Sequence, residues 1–162
     1  ESLHYLKKFE NNENIEYDSI YIDSEKHYKF NLYCNHLMSK VSDGWIIFLD
    51  DDDKLCHKYV LNELVNHIRK GNNTDNLFIW NFFRPDKLVF PKNINDIILG
   101  EIDTCNFCFH SKFKEEVKWG DKKCGDYRFF KKLIKKYDFN LYLINKVFTQ
   151  TNFIHKLGNF GN

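Results

Sequence analysis

The sequence predicts an α/β protein, a sheet flanked by helices, in a single domain spanning residues 1–162. Three observations carry this. Trp45, Ile46, Ile47, Phe48 and Leu49 form an unbroken apolar run of the kind that fills a strand covered on both faces, and the run ends in Asp50, Asp51, Asp52 and Asp53. Other β-branched and aromatic runs alternate along the chain with stretches of helical periodicity. A chain of 162 residues, 43% hydrophobic and 29% charged, is long enough for one core and ordinary in composition for a globular domain.

In chain order, residues 1–14 are polar and Asn-rich, with a short apolar patch of Leu3, Tyr5, Leu6 and Phe9. Residues 15–22 alternate through Ile15, Tyr17, Ile20 and Ile22 and read as a strand with Asp23 at its carboxyl end. Between residues 27 and 41, Phe30, Tyr33, Cys34, Leu37, Met38 and Val41 recur at helical spacing, Asn31 and Asn35 share a flanking face, and Asp43-Gly44 closes the element. Residues 45–49 are then expected as a central strand. Leu55, Tyr59, Leu61, Leu64, Val65 and Ile68 predict a second helix. Arg69-Lys70-Gly71 ends it, since cations suit the negative end of the helix dipole and glycine tolerates positive φ.

Residues 77–83 read as a second buried strand, Arg84-Pro85-Asp86 as a turn, residues 88–90 as a short edge strand stopped by Pro91, and residues 94–99 as a connector. A strand over 102–110, an amphipathic stretch over 113–119 and a flexible polar loop over 120–125 follow. Asp126 opens a third helix whose buried face is Phe129, Phe130, Leu133, Ile134 and Tyr137, and residues 139–148 make the last strand. The tail, 149–162, carries His155 among glycines and asparagines and reads as a disordered end or a lid.

Basic and acidic residues nearly cancel, for a net charge of +1, so no overall electrostatic footprint points to nucleic acid or to an anionic membrane, and partners must be sought locally. Five cysteines without a framework suit a reducing compartment such as the cytoplasm. Cys105 and Cys108 have CxxC spacing, but three residues apart on a strand they point to opposite faces and cannot easily share a metal. The sequon Asn72-Asn73-Thr74 is read as chance. No run approaches the roughly 20 apolar residues of a membrane-spanning helix.

The chemistry concentrates at two places. Four adjacent carboxylates repel one another and resist desolvation unless they share a cation, and the crevice beyond the carboxyl ends of strands is where open α/β sheets bind ligands. A hard divalent cation carrying a phosphorylated ligand, with Asp52 as direct metal ligand, accounts for them; the plain alternative is a solvated acidic turn. At the second place, Asp126 is either an ordinary N-cap or a carboxylate poised at a helix N-terminus beside a mobile loop. Nearby Trp119 either stacks on a ligand or belongs to the core. Asp103 and Thr104, at the start of the 102–110 strand, face the same region.

Taken together, Asn35, the segment Gly44-Trp45-Ile46-Ile47-Phe48-Leu49-Asp50-Asp51-Asp52-Asp53, the Gly125-Asp126-Tyr127 opening of a helix and the late His155 resemble the family 2 nucleotide-sugar glycosyltransferases, from residue 15 to the end. The resemblance implies a GT-A, Rossmann-like mixed sheet. It implies inverting transfer of a sugar from a nucleoside-diphosphate sugar, a UDP-sugar favoured, to an acceptor hydroxyl. Mn²⁺ or Mg²⁺ would be held by Asp52 with His155. Asn35, Asp50 and Asp51 would bind donor, Asp126 would be the catalytic base, and Trp119 and Asp103 would lie at the acceptor. The glycan, protein or lipid acceptor is unspecified. Two features depart from the family. Its first strands, which bind the nucleobase, are not evident, and with a first residue that is not Met this implies a piece of a longer chain. Gly125 also stands where the family has an acid before the base. The rival readings are a non-catalytic GT-A-like binding module, and a haloacid-dehalogenase-like phosphohydrolase, whose Asp-x-Asp normally continues into Gly-Thr where this chain has Asp53-Lys54.

Overall fold

The computed structural model describes residues 12–16, 18, 20–22 and 28–151. These form a single α/β domain with a mixed sheet and three α-helices among the described residues. The helices are α1 (Lys29–Lys40), α2 (Val60–Gly71) and α3 (Gly125–Lys136). The strands are β1 (Trp45–Ile47), β2 (Lys54–Leu55), β3 (Asn76–Phe83), β4 (Val89–Phe90), β5 (Phe107–His110) and β6 (Asn140–Gln150). Their order across the sheet is β1-β5-β3-β6-β2, with β4 added along β3. β3 and β6 are parallel, and β1–β5, β5–β3 and β6–β2 are antiparallel. No helix among the described residues is long and apolar enough to cross a membrane.

The expected buried strand over 77–83 is β3, and it is the centre of the sheet. Its alternate residues feed two cores: Leu77 and Ile79 enter one with Phe107, Phe109, Phe129 and Phe130, while Phe78 and Trp80 enter the other with Val60, Leu64, Ile144 and Phe148. The run 45–49 is also covered on both faces, for Ile46 and Phe48 join the first core while Trp45 and Ile47 pack against the second. Yet β1 is an outer strand of the described sheet, paired only with β5, and not a central one. Apolar residues on both faces of a strand report the layers above and below it; they carry no information about hydrogen-bonded neighbours to either side. The strand expected over 15–22 is absent among the described residues of that stretch, where Tyr21 is 89% exposed.

Two helices differ from their sequence reading in ways that matter for the site. α1 buries Asn31, Cys34 and Met38 and leaves Phe30 57% and Leu37 54% exposed. It is thus rotated from its apolar stripe toward the asparagine face, because Asn31 and Asn35 find backbone partners in the segment 119–122. α2 ends through Asn72, which takes the left-handed conformation expected of Gly71. Gly71 serves a different purpose. A Cβ there would lie 2.5 Å from Asn76 Nδ2 and 3.2 Å from Phe78 Cζ, so the absent side chain lets α2 dock on the start of β3. Gly71→Ala is therefore expected to lower stability by about 1–2 kcal/mol in denaturant unfolding, the clash outweighing alanine's helix propensity. A gain in stability would show that Asn76 and Phe78 yield freely.

The strand expected over 102–110 is only half strand. Thr104–Asn106 is a 3₁₀ turn, and β5 begins at Phe107. Asn106 accepts from Asp103 N–H at 2.9 Å and donates to Trp80 O at 3.0 Å. One side chain thereby takes over partners that a ladder would have used and curls the chain at the sheet's end. Residues 113–119, expected to be amphipathic, run from the end of a 3₁₀ turn through a turn at 114–116 into irregular chain that buries Val117 and Trp119. The last strand and the third helix lie where their periodicity predicts.

Candidate active site

The sheet's directions bring three segments to one end. β1 runs toward Asp50; β5 runs the opposite way beside it, with Ile47 opposite Cys108, so the turn holding Asp103, Thr104 and Cys105 stands next to the acidic tetrad. The tetrad is itself a turn closed by Asp53 N–H donating to Asp50 O at 3.1 Å, after which β2 pairs with the end of β6, Lys54 opposite Gln150. The N-terminus of α3 supplies Asp126.

Asp53, Asp103 and Cys105 offer ligand atoms all within 4.8 Å of one another. Burial pushes the Asp103 carboxyl well above the usual carboxylate range, and the negative charges of Asp126, Asp53 and Asp50 push it further. The buried Cys105 thiol is raised for the same reasons, by burial and then by Asp103 and Asp53, and it hydrogen-bonds with Thr149 and Asp53. Asp50 stands at the exposed rim with its carboxyl turned to the Thr104 hydroxyl; desolvation raises it, the Thr104 bond opposes this, and Asp52 and Asp51 add to the rise. Asp126 is pushed up to about 6 by burial and by Asp50, against the pull of the Tyr127 N–H and its own. Asp53, Asp103 and Asp126 therefore share one poorly solvated space, with Asp50 at its exposed rim.

No protein-family model matches the chain, and no curated protein matches it either. Its chemistry rests on this geometry.

Such a cluster binds protons tightly when empty and has the donor set for a divalent cation. The two carboxylates fit Mg²⁺, Mn²⁺ or a similar ion, while the thiol favours the softer of these. Each expected site residue but His155 has a definite place. Asp50, Asp103 and Asp126 come together as above. Asp51 is exposed and Asp52 half-buried, and the residue that joins Asp103 and Cys105 is Asp53. Asp126 is not an N-cap, since Cys124 occupies that position in a left-handed conformation and Asp126 is the second residue of α3. His155 lies outside the described residues.

Asn35, expected at the donor, has both ends of its amide committed to one backbone: its Nδ2 donates to Trp119 O at 3.0 Å and its Oδ1 accepts from Trp119 N–H at 2.8 Å. Trp119 itself is 3% exposed, stacked on Phe129 at 4.5 Å with the rings 6° apart, and edge-on to Phe48 at 5.4 Å. Its core reading therefore prevails over stacking on an acceptor, because the ring is buried and already stacked on Phe129. Cys105 and Cys108 part as expected, one toward the acids and the other into the second core. Sequence reasoning set Cys105 aside with its CxxC partner and chose Asp52 where the structure uses Asp53. The signal for Cys105 toward the acids was adjacency to Asp103-Thr104, and a 3₁₀ turn in place of a strand was needed to aim it.

Proposed function

We propose that this domain is a metal-dependent glycosyltransferase of GT-A type. It would move a sugar from a nucleoside-diphosphate sugar, a UDP-sugar favoured, to an acceptor hydroxyl with inversion. One observation carries the reading: a base with a raised proton affinity, Asp126, shares a desolvated space with the acids that end β1. A hydroxyl is a poor nucleophile until its proton is taken, and a base near neutral pKa does this best, contributing roughly 10²–10⁴-fold. Asp126 takes that proton. As the only carboxylate opening α3, it acts as a single base in direct displacement, which inverts the anomeric centre.

Asp53, Asp103 and Cys105, with Asp52 at the rim, would hold the cation, Mn²⁺ rather than Mg²⁺ given the thiol. When bound, it neutralises charge developing on the leaving diphosphate. Asp50, steadied by Thr104, lies where a ribose hydroxyl would find an acceptor.

The test is thermal unfolding with UDP- and GDP-sugars, each with Mn²⁺ and with chelator, on the native chain, Asp52→Asn and Asp53→Asn. A donor at a hundred times its dissociation constant adds about 2.7 kcal/mol. The expected result is a metal-dependent shift for one nucleotide class, lost in Asp53→Asn. Stabilisation by Mn²⁺ alone with no response to any donor would replace the enzyme by a non-catalytic cation-binding module.

A further inference from the structure

We propose that Asn31 is a positioning residue for the Asp126 carboxylate, fixing from the first turn of α1 the loop that leads into α3. Three positions of α1 and its start hold that loop by its backbone or its one acid. Tyr28 N–H donates to Asp121 Oδ1 at 2.9 Å. Asn31 Nδ2 donates to Gly120 O at 2.8 Å and Lys122 O at 3.0 Å, and Asn35 clasps the backbone of Trp119 in both directions. The asparagines are four residues apart, one helical turn, so they present their amides to the same strip of chain.

Asn31 also sets a limit by shape. Gly125, the first residue of α3, rests directly on it: a Cβ at Gly125 would fall 2.5 Å from both Cγ and Nδ2 of Asn31, and closer still to Oδ1. Asp126 is the next residue, so displacing Gly125 displaces the carboxylate. Asn31 is fully buried, and its Oδ1 has no hydrogen-bond partner. A buried amide with an orphaned oxygen carries a desolvation cost that an apolar side chain of similar volume would avoid, but that side chain would leave Gly120 O and Lys122 O without their donor. The amide is a good choice for holding two carbonyls while keeping a flat edge against Gly125. This also accounts for glycine before the base, since any side chain there would meet Asn31.

The catalytic meaning of this role rests on Asp126 as the base; the placement does not. The experiment therefore reads position first. In isotopically labelled protein, Asn31→Asp keeps the shape but loses at least one of the two donors, since a protonated carboxyl offers a single O–H and an ionised one none. It should move the Asp126 carboxyl signal and speed amide exchange over residues 120–126 by about tenfold or more, while residues 130–136 stay protected. Gly125→Ala should lower the melting temperature in the native background and cost much less in Asn31→Ala, because the obstructing amide is gone. Should the Asn31 variants fail to fold, Gly125→Ala alone decides, through displacement of the Asn31 side-chain amide signals. With a donor in hand, Asn31→Asp should lower kcat about tenfold and leave the donor KM nearly unchanged. An unmoved Asp126 signal in Asn31→Asp, or an equal cost of Gly125→Ala in both backgrounds, overturns the proposal. If the signals move as expected and the native chain transfers no sugar, the glycosyl-transfer reading falls and the positioning role stands.

Discussion

Asp126→Asn is expected to make the metal-free protein more stable at pH 8 by about 2 kcal/mol while abolishing sugar transfer. The folded carboxyl titrates at about 6 against an ordinary 3.8, chiefly because it is buried, with Asp50 adding to the rise. At pH values between the two, the folded chain holds a proton that the unfolded chain has released, so stability falls as pH rises through that window and stays low above it. At 1.36 kcal/mol per unit the full effect is about 3 kcal/mol, less about 1 for removing a negative charge from a helix N-terminus. For a domain of this size a gain of about 2 kcal/mol raises the melting temperature by about 4–8 °C. Asp103→Asn should act in the same direction, since Asp103 is raised by burial and by the charges of Asp126, Asp53 and Asp50. Glu63, held low by Lys146, gives the opposite dependence, but only at more acid pH, as its carboxyl begins to protonate. Melting curves from pH 4 to 8 check this. A slope identical in the native chain and in Asp126→Asn would mean that this carboxyl is well solvated and no better a base than any surface aspartate.

Saturating Mn²⁺ should flatten the same slope. Carboxylates that share a cation no longer hold protons in the folded state.

Trp119→Ala is expected to cost about 3–5 kcal/mol, enough to unfold a marginal domain, with Trp119→Phe milder. The ring is 3% exposed between Phe129 and Phe48, so its removal opens a cavity in the first core. Its Nε1 is buried without a hydrogen-bond partner, and Phe removes that unsatisfied donor along with the lost volume. Urea unfolding monitored by circular dichroism distinguishes this from a ligand-stacking role. A tryptophan that stacked on an acceptor would leave the midpoint of Trp119→Ala nearly unchanged and lower only activity. The effect should reach the site as well, because Trp119's backbone is the partner of Asn35 and the loop toward Asp126 starts there.

The α/β class, both buried strands, all three helices and the acidic end of β1 follow from local pattern alone. Five apolar residues before four carboxylates make a covered strand with a charged end in almost any context, and Phe129, Phe130 and Leu133 bury one face of α3 wherever it lies. Three things required the assembled molecule. The place of β1 at the rim of the described sheet was not legible, since side-chain polarity records layers and not lateral neighbours. The rotation of α1 was not legible either: Asn31 and Asn35 look solvent-facing until carbonyls almost ninety residues away meet their amides, and those bonds leave Phe30 and Leu37 outside. Finally, which acid of the tetrad turns inward depends on a turn closed by one backbone hydrogen bond and on the 3₁₀ curl at Thr104–Asn106. A shift of one residue selects Asp53 over Asp52, and side-chain chemistry, identical at both positions, carries no signal for that choice.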